Sequence, residues 1–299
     1  MCEVKKTSDQ IINYGRYKNM KNIEVMETLR SSDNVIKAAY ALIDEFTGKK
    51  KTGKLIATIR LFIDLYSRRL NGEKVTLKPI MDYLITWEMT GKMETMISLS
   101  TSCQENNFCK AYRKNKNFIC KDCYAWKELN AYSTVRNKAK FSTLILCNVE
   151  LLPCDIPMVN NRYFRFEAFG DLQTTIQFKN YNLFCIVNDF VNCTLWTKNP
   201  FIIEKALKEF DIAIPENFKI IYSIPELDRK ITAAEKKAII EKYPFIWYFF
   251  AVYSDNGMRK VDCGYICKMK CSDCNYFCYK HEAPQGTLIQ EIKKGNENK

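Results

Sequence analysis

Residues 163–171 read YFRFEAFGD. A short apolar run, YFRF, stops against a polar turn that carries Glu167 and Asp171. Four further runs share this form: 96–100 (MISLS), 194–196 (TLW), 218–222 (FKIIY) and 247–253 (WYFFAVY). Amphipathic stretches lie between them, at 125–146, 172–187, 200–210 and 232–242. Strands alternating with helices predict βαβ units and a parallel sheet. Five strands are fewer than the eight of a closed barrel, so the expected fold is α/β, an incomplete (βα) barrel or an open parallel sheet.

Upstream the texture is helical. The spacing of Val35, Ala38, Ala39, Ala41, Leu42 and Phe46 predicts a helix over 34–46 with Asp33 as N-cap. A second is expected over 55–70, and a third over 77–89, where Pro79 fits only in the first turn. The division is therefore a helical N-terminal region, 1–95, a βα core, 96–258, and a Cys-rich C-terminal segment with a polar tail, 259–299.

The 299 residues are 47% hydrophobic and 27% charged, which excludes a mostly disordered chain. The formal net charge of +12 favours acidic partners such as nucleic acid or a nucleotide. One histidine, His281, excludes an HExxH zinc site and a two-His facial triad. The most apolar run, 244–253, is half of the ~20 residues that a spanning helix needs, so no membrane partner is expected. The stretch after Met1, CEVKKTSDQ, has no apolar core, and the expected compartment is the reducing cytoplasm. There, 14 cysteines are poor disulfide candidates and better metal ligands.

Residues 48–54, GKKKTGK, match the first seven positions of a P-loop, but Leu55 stands where Ser or Thr would hold magnesium. The preceding AAYALIDEF reads as helix, so a solvated Lys-rich turn is expected instead.

The first cysteine cluster is Cys103, Cys109, Cys120 and Cys123, just past the first strand. Between Cys103 and Lys140, nine Lys or Arg face three acidic residues, a net of +6. Electropositive surroundings favour thiolates, and four thiolates suit zinc or an iron–sulfur cluster. The second cluster is Cys263, Cys267, Cys271, Cys274 and Cys278, five cysteines in sixteen residues. Cys263 with Cys271, Cys274 and Cys278 is the preferred set, and a structural zinc site is the competing reading. Cys147, Cys185 and Cys193 lie in apolar context and read as small core residues.

Polar groups come directly after the strands: Glu167 and Asp171; Thr197, Lys198 and Asn199; Ser223 and Glu226; Ser254 and Asp255. Ligand sites of parallel βα folds form at these ends. Glu167, Asp171, Thr197 and Lys198 are the candidate catalytic residues. Taken singly, Asp171 and Asn199-Pro200 also read as helix starts.

CKDCYA at 120–125, RFEAFGDL at 165–172, LWTKNPFII at 195–203 and the C-terminal Cys-rich segment ending in Cys278-Tyr279 occur in that order. Over 96–279 this pattern resembles the phage-type family named for gene product eighty-eight. It is similar in turn to phage-associated radical S-adenosylmethionine proteins. That likeness implies Cys109, Cys120 and Cys123 as ligands of a 4Fe-4S cluster. It also implies S-adenosylmethionine as a cofactor, with Thr197 and Lys198 at the cavity edge. Two departures stand out. Ten residues separate Cys109 from Cys120 where three are usual, and Cys103 is available as a fourth ligand. No Gly-Gly-Glu comes after the second strand, where Glu167 stands instead. The expected function is a metal–thiolate protein with one or two 4Fe-4S clusters. The alternative is a non-enzymatic, zinc-stabilised nucleic-acid-binding protein.

Overall fold

A computed structural model describes residues 32–87, 93–254, 265–267, 270–271, 277–280 and 282–293. The five expected strands form close to their predicted bounds: β2 Ile97–Leu99, β3 Tyr163–Phe166, β4 Asn192–Thr197, β5 Phe218–Ser223 and β6 Ile246–Tyr253. Three further strands complete the sheet: β1 Thr86–Trp87, β7 Tyr265–Ile266 and β8 Thr287–Ile292. The order is β1-β2-β3-β4-β5-β6-β8-β7. Only β1 runs antiparallel to its neighbour. The fold is thus an open, mostly parallel α/β sheet.

The helices are α1 Ser32–Phe46, α2 Gly53–Leu70, α3 Lys78–Leu84, α4 Asn107–Arg113, α5 Tyr124–Ala131, α6 Ser133–Asn148, α7 Thr175–Val187, α8 Pro200–Phe210 and α9 Ala233–Lys242. From β2 to β6 the strand order is that of the chain, so the winding never reverses. Right-handed crossovers in one direction put the helices on one face. Phe164, Phe166, Leu195 and Ile220 bury that face against α6, α7 and α8. Alternate side chains point the other way. There Tyr163, Trp196, Ile221, Tyr248 and Ile289 meet Cys267, Cys271, Phe277, Cys278 and Tyr279 of the C-terminal segment. Helices α1 and α2 share the main apolar core with α6 through Phe46, Phe62 and Phe141.

Several expectations need correction. The helix predicted over 77–89 stops at Leu84, because Ile85 turns extended and Thr86–Trp87 pair with β2. Pro79 sits in its first turn as expected. The stretch 125–146 is two helices, broken where Tyr132 adopts an extended backbone (φ −117°, ψ 96°). Ser32 already belongs to α1, so Asp33 lies in its first turn and is not the cap. The polar tail holds β8, which pairs with both β6 and β7. The GKKKTGK segment is a turn between α1 and α2. Gly48 and Lys51 take left-handed φ there, and the Thr52 hydroxyl donates to the Phe46 and Lys49 carbonyls at 3.0 and 2.8 Å. Cys147, Cys185 and Cys193 are buried core residues. Among the described residues no helix is long and apolar enough to cross a membrane.

Candidate functional site

A cavity of about 400 Å³ opens over the carboxyl ends of the parallel strands. Arg165, Glu167, Trp196, Lys198, Ser223 and Glu291 line it from β3, β4, β5, β8 and the turns after them. Seven cysteines from both sequence clusters line it as well: Cys103, Cys109, Cys120, Cys123, Cys267, Cys271 and Cys278. Cys103, Cys109, Cys120 and Cys123 are free thiols. Cys263, Cys274, His281 and Asp255 lie outside the described residues. Among the described residues, no three Cys, His, Asp or Glu side chains form a ready-made metal-ion site.

Local structure fixes each thiol of the first cluster. Asn106 caps α4, its side chain accepting from the Phe108 and Cys109 amides at 2.9 and 3.3 Å. The same side chain donates to the Asp171 carbonyl at 2.8 Å, so the turn bearing Cys109 is tied to the loop after β3. Cys120 lies in the short 3-10 turn Ile119–Asp122. That turn is held to the loop after β5 by the Ile119 amide on the Pro225 carbonyl, 2.8 Å, and the Leu227 amide on Asn117, 3.1 Å. Lys293 after β8 grips Asp122 at 2.6 Å. Cys123 is the N-cap residue of α5.

Electrostatics distinguish the four thiols. Cys103 and Cys123 hydrogen-bond to each other, which lowers the Cys123 pKa and raises that of Cys103. Burial opposes the lowering at Cys123, but the Trp126 and Ala125 amides of the helix terminus and the Lys198 charge add to it. Cys109 and Cys120 are pushed up, chiefly by burial. Lys198 is buried, which disfavours its charge, yet Cys120, Asp171 and Cys109 overcome this and raise its pKa.

Asp171 serves Lys198. Its carboxylate accepts from the Thr197 hydroxyl at 2.5 Å and the Lys198 amide at 3.1 Å, and lies 4.0 Å from the Lys198 Nζ. Burial raises its pKa against those partners. The reading of Asp171 as a helix cap is therefore wrong: Thr174 caps α7 by accepting from the Gln177 amide at 3.1 Å. Asn199 does occupy the N-cap position of α8, with Pro200 at the helix start, but its side chain donates to Leu172 instead.

Glu167 takes left-handed φ, +58°, directly after β3, and turns its carboxylate into the protein. It accepts from the Thr101 amide (3.2 Å) and hydroxyl (2.9 Å), Gln177 Nε2 (2.6 Å) and the Tyr181 hydroxyl. Burial outweighs these bonds and pushes its pKa up to about 7. Gly170 makes this fit possible. A Cβ there would stand 2.1 Å from Glu167 Oε2 and 2.9 Å from the Thr101 carbonyl oxygen. Gly170→Ala is expected to cost about 1–3 kcal/mol by overpacking, read as a lowered denaturant midpoint. Gly53→Ala, which meets open space, should leave the midpoint unchanged or raise it.

The structure thus brings Cys103, Cys109, Cys120, Cys123, Glu167, Asp171 and Lys198 to one cavity, with Cys267, Cys271 and Cys278. Thr197 is fully buried beneath it and reaches it only through Asp171. Residues not anticipated are Arg165, whose guanidinium lies 4.3 Å over the Trp196 ring, and the Glu167 partners Thr101, Gln177 and Tyr181. A lone arginine inside an otherwise apolar strand was the available signal for Arg165. These features define an open α/β protein with a thiol-lined cavity at its strand ends. No family model, curated protein or solved structure matches the chain.

Proposed function

We propose that the protein is an iron–sulfur protein resembling radical S-adenosylmethionine enzymes, working in the reducing cytoplasm. One observation carries this reading: thiols from two distant cysteine clusters line a single cavity at the carboxyl ends of parallel strands, of which β2 to β6 wind in one direction. A mononuclear zinc draws four donors to one point at about 2.3 Å. A 4Fe-4S cluster places each thiolate on a separate iron, so its ligands surround a volume. Thiols spread around a cavity suit the second arrangement.

Cys109, Cys120 and Cys123 would hold the cluster. Cys103, buried and hydrogen-bonded to Cys123, would support that thiolate and not serve as a ligand, so that the cluster could still take S-adenosylmethionine. With S-adenosylmethionine bound, such a cluster supplies the electron for reductive cleavage of the sulfonium. The chain's own residues do the rest. Lys198, steadied by Asp171, and Arg165 set positive charge on the cavity wall, while Trp196 and Phe250 exclude water from it. Cys267, Cys271 and Cys278 line the same space and would serve an auxiliary cluster.

The test is anaerobic purification with iron, sulfide and zinc analysis. A brown protein with about four or eight iron atoms per chain is expected, four for one cluster and eight for two. A colourless protein with one or two zinc ions would overturn the reading in favour of a zinc-stabilised protein.

A further inference from the structure

The segment that carries three of the cavity cysteines, Cys109, Cys120 and Cys123, is strongly basic. Lys110, Arg113, Lys114, Lys116, Lys121 and Lys127 fall on α4, α5 and the loop between them, and all six are exposed. Several other helices pair charges within themselves: Lys49 with Glu45, Arg68 with Asp64, Lys78 with Asp82, Lys208 with Glu204 and Lys237 with Glu241. Of the three acids in this segment, Asp122 is taken by Lys293, just after β8, Glu105 is approached by Lys140, and Glu128 lines the cavity. Among the described residues, none of the six cations forms an ion pair.

Aromatic rings interleave with these charges. The Arg113 guanidinium lies 4.3 Å over the Trp126 ring, and both line the cavity. Phe108, another lining residue, stacks near Tyr112 with centroids 4.0 Å apart. Basic side chains that track phosphates, beside an aromatic–arginine platform for a base, are the two elements of single-stranded nucleic-acid binding. Further in, Lys198 and Arg165 line the cavity beside the thiols, among the acidic Glu167, Asp171 and Glu291. We infer that the substrate is a single-stranded nucleic acid, its backbone held by the lysine rim and one base delivered over Trp126 into the cavity. This names the substrate class of the proposed iron–sulfur site. It rests on that reading for the chemistry after binding, but binding itself can be measured separately.

The experiment is fluorescence anisotropy of a labelled mixed-sequence single-stranded oligonucleotide against anaerobically purified full-length protein, over a series of salt concentrations. Iron is measured on the same samples. Affinity is expected to fall with salt, with a log–log slope of about −0.7 for each phosphate contact. K114E/K116E/K127E, none adjacent to a cysteine, should flatten that slope by about 2 and weaken binding about 100-fold at 0.1 M salt. Trp126→Ala should weaken it about tenfold with little change in slope. Unchanged affinity in the triple variant would overturn the proposal. So would an unaffected Trp126→Ala together with equal competition by heparin, a polyanion without bases, which marks a simple cation surface. Binding without iron would sink the cluster reading alone, and iron without binding would sink this one alone.

Discussion

Cys120→Ala and Cys123→Ala proteins, purified without oxygen, are expected to lose about four iron atoms per chain relative to wild type, with the matching share of visible absorption. Removing a thiolate ligand leaves an iron without its anchor, whereas removing a supporting donor weakens metal affinity only about 10–100-fold. Cys103 therefore provides the sharper test. It is 2% exposed and hydrogen-bonded to Cys123. Cys103→Ala should retain iron when prepared at high iron and sulfide but release it faster to a chelator. Cys103→Ser, which restores a donor, should recover most of the difference. Iron loss in Cys103→Ala as complete as in Cys120→Ala would make Cys103 the fourth ligand and close the site to S-adenosylmethionine. Cys120 and Cys123 are partly buried at the cavity wall and sit in short turns outside the main core, so all these variants should keep the wild-type far-UV signal. A variant that unfolds would instead show that the thiols are structural.

Each element is legible in the sequence to the extent that its stability is local. Strands β2 to β6 are largely buried on both faces, so apolar residues dominate them and they stand out from the helices around them. Strand β8 escaped notice because TLIQEI carries Gln290 and Glu291 and precedes a run of lysines. Its place beside β6 depends on contacts from a segment far away in the chain, which local pattern cannot express. The same holds at the site. Glu167, Asp171 and Lys198 were legible because strand ends in a parallel sheet gather polar groups. Their roles were not. Asp171 resembles a cap by sequence position, and only the tertiary approach of Thr197 and Lys198 shows that it orients a lysine. Gln177 and Tyr181 read as ordinary helix residues, since nothing local reveals a carboxylate arriving from the turn after β3. The meeting of the two cysteine clusters was likewise beyond the sequence. It requires the C-terminal segment to cross the sheet face opposite the helices.

The largest stability effect is expected far from the cavity, at Asp155. This carboxylate is fully buried and joins three segments. Arg69 at the end of α2 approaches it with both terminal nitrogens, at 2.8 and 2.5 Å. The Leu77 amide before α3 donates at 2.6 Å and the Leu152 amide after α6 at 2.8 Å. Breaking one side of such a pair leaves an uncompensated guanidinium and two orphaned amides, a cost of about 3–5 kcal/mol. Asp155→Ala should thus lower Tm by at least about 6 °C. The pH dependence identifies the cause. Burial alone would raise the Asp155 pKa, but Arg69 and the Leu152 and Leu77 amides outweigh it and hold it below the ordinary carboxylate value. A depressed native pKa contributes stability that is complete above the unfolded value, about 3.9, and drains away as pH falls through the native one. Asp155→Asn keeps the shape and one acceptor while removing the charge. Its deficit against wild type, measured by chemical denaturation, should be full at pH 7 and shrink steadily below about pH 4. A deficit equal at both ends would assign the loss to packing and not to the carboxylate that ties α2 and α3 onto the α/β core.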